Sequence, residues 1–256
     1  MEKEKIAFLI ITTSNKRDDW VTIKDSYLFN MTLKSFLLTQ DKENDYKFYI
    51  GIDEDDRIFD KSYEQEHIRR FSNAFPNLSF EFIVYDNKHV KKGHCTLMWN
   101  ILFEKAYKDG YNYFYQCGDD IIFKTKGWIN DCIKIMKRKN DIGLTGPINN
   151  NNRILTQSFV SRKHMEIFGW YFPVEIKNWC CDDWYNMVYH PKYLYPLHNH
   201  FAENNGGQPR YDINNNVNFS GNSKDIFTKN VIKLREETQK LANKHKKLIE
   251  KYISNN

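Results

Sequence analysis

No apolar run in this 256-residue chain is long enough to cross a bilayer. The first residues, Met1-Glu2-Lys3-Glu4-Lys5, lead into only a short apolar stretch, so a secretory leader is not expected either. Cysteine is sparse and unpatterned. The five residues Cys95, Cys117, Cys132, Cys180 and Cys181 are odd in number, show no metal-type spacing, and include an adjacent pair that cannot readily bridge itself. A disulfide framework and a cysteine metal site are thereby excluded, and a reduced, cytoplasmic protein is expected. Charge of one sign is also lacking. Lys and Arg number 38 against 33 Asp and Glu, and most of the small excess falls between Lys229 and Lys251. That balance argues against a nucleic-acid partner and leaves a small anionic ligand compatible. No internal repeat is present.

What the chain has in quantity is aromatic side chains, 16% of all residues, within a hydrophobic total of 41%. Such a chain can bury one substantial α/β core. Ile6 to Thr12 is a continuous apolar run, the pattern of a strand covered on both faces. Further strands are predicted over Tyr46 to Ile52, Leu78 to Tyr85, Tyr111 to Cys117 and Ile142 to Gly146. Helical spacing predicts helices over Trp20 to Leu38, Ser62 to Phe75, Thr96 to Lys108 and Gly127 to Lys139. This alternation implies a mainly parallel sheet with helices on both faces. Asn199 to Asn222, rich in Asn and Gly, reads as a loop.

In sheets of this kind ligands bind beyond the carboxyl ends of the strands. Three polar clusters fall at such ends: Thr13 to Arg17, Asp53 to Asp56, and Asp119-Asp120 after Gly118. Carboxylates in that position suit a hard divalent cation that keeps water and substrate phosphates as its other ligands. A plain turn, with Asp residues solvated or capping a helix, is the competing account. Further along lie a second acidic pair, Asp182-Asp183, within Trp179 to Trp184, and then His198-Asn199-His200 and Gly206-Gly207-Gln208-Pro209-Arg210.

The strand running into Asp119-Asp120 resembles the DxD region of GT-A glycosyltransferases. Thr12 to Arg17 resembles their first nucleotide-contacting loop, Asp53 to Asp56 the acidic end of their second strand, and Gly93 to Ala106, with Asn100, the helix before their metal motif. The pattern runs in order from about residue 5 to residue 210 and departs at Gly118, which stands where the first Asp of a DxD would be. The resemblance implies a GT-A α/β fold and transfer of a hexose-type unit, with inversion, from a nucleotide-diphosphate sugar, a UDP-sugar above others, to a glycan or other hydroxyl acceptor. It also implies Mn2+ or Mg2+ on Asp120, with His200 or His198 completing the metal site. Nucleotide-binding roles follow for Thr13, Arg17, Asp53, Asp55, Asn100 and Asp119, and a diphosphate contact for Arg210. Asp183, with Asp182 second, is the implied general base, because an acceptor hydroxyl is a poor nucleophile until its proton is drawn off. An N-terminal cap on the following helix accounts equally well for that acidic pair.

Three other readings compete. A nucleotidyltransferase would need a glycine-rich loop after the first strand, and Thr12 to Asp19 contains no glycine. A polymerase palm also has a Gly-Asp-Asp turn, but this chain is too short for fingers and thumb and its Ser220-Gly221 lies on the wrong side of both acidic motifs. A sugar-nucleotide-binding module without turnover would account for Gly118. The expected organisation is a catalytic domain over 1–222, with nucleotide and acceptor halves divided at 125/126, and a helical extension over 223–256. In that extension Phe227, Val231, Leu234, Thr238, Leu241, His245, Leu248 and Tyr252 alternate by four and three residues. Thr238 and His245 interrupt it, which argues against a long isolated coiled coil; the seam must bury against protein, either the chain's own domain or the same helix of a second chain, and a homodimer is predicted over a monomer, without membrane insertion.

Overall fold

The computed structural model describes residues 3–207, 210–211 and 224–256, with side chains in the last helix described from residue 230 onward. The chain begins with β1 (Lys5–Thr12), which leads through a 3-10 turn (Ile23–Asp25) and a π-helical turn (Leu28–Leu33) into α1 (Lys34–Thr39). Next come β2 (Asp45–Asp53), α2 (Ser62–Arg69), α3 (Phe71–Ala74), β3 (Leu78–Tyr85), α4 (Cys95–Lys108), β4 (Tyr113–Cys117) and β5 (Ile121–Phe123). The second half contains α5 (Trp128–Arg138), β6 (Leu144–Ile148), β7 (Ser158–Ser161), α6 (Lys163–Phe168), α7 (Cys181–Tyr189), β8 (Leu194–Asn204) and α8 (Lys224–Asn255).

The strands form one sheet in the order β3-β2-β1-β4-β7-β6-β8-β5. The four strands β3, β2, β1 and β4 are mutually parallel, as are β6 and β8, whereas β7 and β5 run antiparallel to their neighbours. The sheet is therefore mostly parallel, as expected. Alternate residues of β1 enter opposite cores: Ile6, Phe8 and Ile10 pack with Phe36 of α1 and Trp128 of α5, and Ala7 and Leu9 with Met98 and Phe103 of α4. Both faces are covered, which explains the unbroken apolar run. Phe8 lies within 4.8 Å of the Phe36 ring centroid and 4.6 Å of Phe48. Truncating Phe36 to alanine is expected to cost about 3–5 kcal/mol, because a close-packed core cannot refill the space.

Three expectations need correction. The Trp20 to Leu38 helix is broken into 3-10, π and α pieces, because Ser26 Oγ turns back onto the Ile23 carbonyl (2.5 Å) and competes with the helical ladder. The Ser62 to Phe75 helix likewise divides at Arg70. The expected loop starting at Asn199 is in its first part strand β8, whose ladder with β6 and β5 overrides the weak local preference of Asn and His; residues 208–209 and 212–222 of that stretch lie outside the described residues.

The C-terminal seam is buried against protein, as expected. Thr238, Ala242, His245 and Ile249 of α8 are buried, with Leu241, Leu248 and Tyr252 beside them in the core that contains α6 and α7. The Trp184 indole donates to His245 Nδ1 at 3.2 Å. With Ala242 and Ile249 the four-and-three alternation widens into the stripe of a helix docked on a globular surface, and the chain's own domain covers this part of it. Phe227 falls outside the described side chains. Among the described residues no helix is long and apolar enough to cross a membrane.

Candidate active site

The carboxyl ends of β1, β2 and β4 converge on one edge. Asp119, just past β4, is fully buried, and the Thr12 hydroxyl at the end of β1 donates to its Oδ2 at 2.5 Å. At the end of β2, Asp53 is buried and burial raises its pKa, an effect opposed by hydrogen bonds from Tyr211 and Thr13. The Tyr211 hydroxyl donates to Asp53 Oδ2 at 2.7 Å. Asp56, three residues on, accepts from the Thr13 hydroxyl (2.9 Å), the Ser14 amide (2.7 Å) and hydroxyl (2.8 Å), and the amides of Ile58 and Phe59. Burial opposes its ionisation, but these donors outweigh burial and hold the carboxyl below its usual range. Asp56 thereby fixes the loop after β1. The acidic run pointed to this place; which of its carboxylates turns inward depends on the backbone beyond β2.

Asp120 differs from its neighbour. Burial, then the charge of Asp119, raises its pKa to about 6. Two glycines close around it. A Cβ on Gly118 would stand 2.4 Å from Asp120 Oδ1, and one on Gly206 would fall within 1.6 Å of Oδ2. The Asp120 carboxylate thus folds back over Gly118. The Asn205 amide donates to the Asp120 carbonyl at 3.1 Å, holding the chain after β8 against the pair. Arg210 makes a two-pronged ion pair with Asp119, donates to the Thr13 carbonyl (3.1 Å), and lies over the rings of Trp20 (5.9 Å) and Tyr27 (5.8 Å). Arg17, over the same two rings, donates to the Gly206 carbonyl at 3.2 Å.

The second acidic pair opens α7. Its start is tied to the same edge by Asn178, which donates to the Gly93 carbonyl (3.2 Å), while Gly93 packs on Tyr211. Asp183 is buried and lies 3.0 Å from Arg235 Nε of α8, an ion pair by distance though not aligned as a hydrogen bond. Asp182 accepts only the Asp183 amide (3.0 Å) among the described contacts, and burial, then Asp183, raises its pKa to about 6. The cap position of α7 is Cys180, with no side-chain hydrogen bond, so neither aspartate is the N-cap; both lie in the first helical turn beyond it.

Four candidates are placed elsewhere. Asn100 accepts from the amides of Tyr171 (3.0 Å) and Phe172 (2.8 Å) and donates to the Phe172 carbonyl (2.8 Å), so its whole amide is used in clamping a loop. Asp55 is an exposed turn residue at φ 63°, its amide donating to Asp60. His200 bonds Thr125 Oγ1 and Asp131 Oδ2, both at 3.0 Å. It lies four residues along β8 from Asn204, the partner of Ile121, which is roughly 13 Å from the Asp120 end. His198 is exposed. Strand direction, invisible in sequence, separates both histidines from Asp120, and among the described residues no three His, Cys, Asp or Glu form a metal-binding group. A single carboxylate with water and ligand phosphates still suits Mn2+ or Mg2+, and Asp120, disfavoured as a bare anion, is the residue that fits.

No protein-family profile and no curated protein sequence matches the chain. Solved structures do. TarS from S. aureus in complex with UDP-GlcNAc is similar over 95% of this chain and 70% of that one, at 11% identity and a TM-score of 0.56. A mannosyltransferase, PcManGT from Pyrobaculum calidifontis, solved with GDP-Man and Mn2+, is similar over 79% of this chain and 57% of that one, at 9% identity and a TM-score of 0.53. This is a GT-A-type fold. The likeness to TarS solved with UDP covers 78% of the present chain and only 60% of the TarS chain, at 12% identity and a TM-score of 0.52. At such identities the GT-A architecture is what is shared; chemistry has to be argued from the side chains.

Proposed function

We propose that the chain is a nucleotide-sugar-dependent glycosyltransferase that moves a hexose-type unit to an acceptor hydroxyl. The observation that carries this reading is the Asp119-Asp120 turn, with Asp119 buried and Asp120 half-buried, at the edge where β1, β2 and β4 end, in a GT-A-type sheet. Neighbours of the same fold solved with UDP, UDP-GlcNAc and GDP-Man support a nucleoside-diphosphate donor. Asp53 and Thr13 face the nucleoside, and Arg17 supplies positive charge beside it. Asp120 holds Mn2+ or Mg2+, which when bound neutralises the departing diphosphate. Asp182 is the general base: it has the raised pKa, whereas Asp183 is engaged by Arg235. Attack by a deprotonated acceptor on the face opposite the diphosphate inverts the anomeric centre.

Calorimetry with UDP, GDP and CMP, with and without Mn2+, tests the assignment. One nucleoside diphosphate should bind, and Asp120→Asn should weaken its Mn2+-dependent affinity by at least about tenfold without lowering thermal stability, since burial already disfavours the ionised Asp120 carboxyl. Equal affinity in parent and variant removes Asp120 from the metal. An NMR assignment of the product anomer tests inversion separately.

A further inference from the structure

We infer that the structure shows a self-occupied site, in which Gly206, Arg210 and Tyr211 stand where the donor must bind and have to leave before it enters. The inference rests on the proposed function for the identity of the donor. The geometry of the occupation does not depend on it.

The argument begins with Asp119. A buried carboxylate needs a counter-charge, and here the counter-charge is the guanidinium of Arg210 rather than a ligand. Its two prongs take both carboxylate oxygens, so the residue next to the candidate metal ligand already carries a fixed cation. Asp120 is closed off separately. The Gly206 backbone lies against its carboxylate, so near that a Cβ there would fall 1.6 Å from Oδ2, and the chain takes up that side of the carboxylate where a ligand would sit. At the other end Tyr211 places an aromatic ring and a hydroxyl donor on Asp53, the carboxylate at the end of β2. One short segment therefore supplies a cation at the acidic turn and a ring with a donor at the second strand, the same two chemical features that a metal-bound nucleotide would bring. Asn15 fastens the segment by donating to the Arg210 carbonyl at 2.6 Å.

The expectation that Arg210 holds the diphosphate predicts the opposite result on mutation. If the segment blocks the site, only the fraction of molecules with it withdrawn can bind, and apparent affinity is reduced by that fraction. Arg210→Ala should then tighten UDP binding in Mn2+ by roughly tenfold or more. Tyr211→Phe, which removes one hydroxyl and little else, should tighten it by a smaller factor. In the ligand-free protein, hydrogen exchange of the amides of 13–18 and 205–207 should accelerate in Arg210→Ala. Weaker or unchanged nucleotide binding in both variants overturns self-occupation and returns Arg210 to a diphosphate contact. If no nucleotide binds parent or variants, the donor assignment falls, and the exchange experiment alone decides: faster exchange upholds the blocked site, and unchanged exchange overturns it.

Discussion

The two acidic pairs are built on one plan and used differently. In each, an arginine from the later part of the chain engages one carboxylate, Arg210 on Asp119 and Arg235 on Asp183. In each, the other carboxylate has a pKa pushed up to about 6 by burial and by its neighbour's charge, Asp120 in the first pair and Asp182 in the second. The difference lies in exposure. The Arg210 pair is largely enclosed, with Arg210 13% exposed and Asp119 at 0%, whereas the Arg235 side chain is 45% exposed. A buried pair excludes other ligands until it breaks, while a half-exposed one can remain at the rim while chemistry proceeds beside it. Neighbouring aspartates that look interchangeable in sequence are thus divided by which of them an arginine reaches.

The largest effect expected from this division is on the second pair. Asp182→Asn should lower the transfer rate by about 10²–10⁴-fold, the usual worth of a general base, with donor affinity nearly unchanged. Asp183→Asn should change it only a few-fold. Steady-state kinetics on both variants checks this, and the reverse order would assign the base to Asp183.

A pH profile sharpens the same point. The base must be ionised, so kcat should fall about tenfold per pH unit below about 6 and level off above it. Stability should run the other way. A carboxyl whose folded pKa is raised binds its proton more tightly when folded, so the stability present at low pH is lost as pH rises through about 6. Asp182→Asn should therefore melt higher than the parent at pH 7.5 and equally at pH 4. A flat difference between the two pH values would mean that Asp182 is not destabilised by ionisation.

The smallest effect is expected at His200. Replacement by alanine should leave Mn2+ affinity unchanged and cost about 1 kcal/mol of stability through its two lost hydrogen bonds. A titration of Mn2+ followed by a melting curve reads both, and a lost metal affinity would reinstate the histidine as a ligand.

The sequence by itself determined the parallel half of this protein. The continuous apolar run of β1, the mainly apolar β2 and the helical spacing of α4 and α5 are local patterns, dictated by burial on two faces or one, and acids at strand ends are visible wherever the strands are. The C-terminal helix was legible for the same reason. Which of its two candidate partners it meets was not, because the chain's own domain and a second copy would bury the same stripe. What tertiary structure alone decided is everything that depends on strand direction and distant pairing. β8 runs so that His200 is carried away from Asp120, and the Asn100 amide turns onto a loop 71 and 72 residues away. Arg210 finds Asp119 across 91 residues. A carboxylate's role follows from its solvation and counter-charge, and both are supplied by residues that no local pattern brings together.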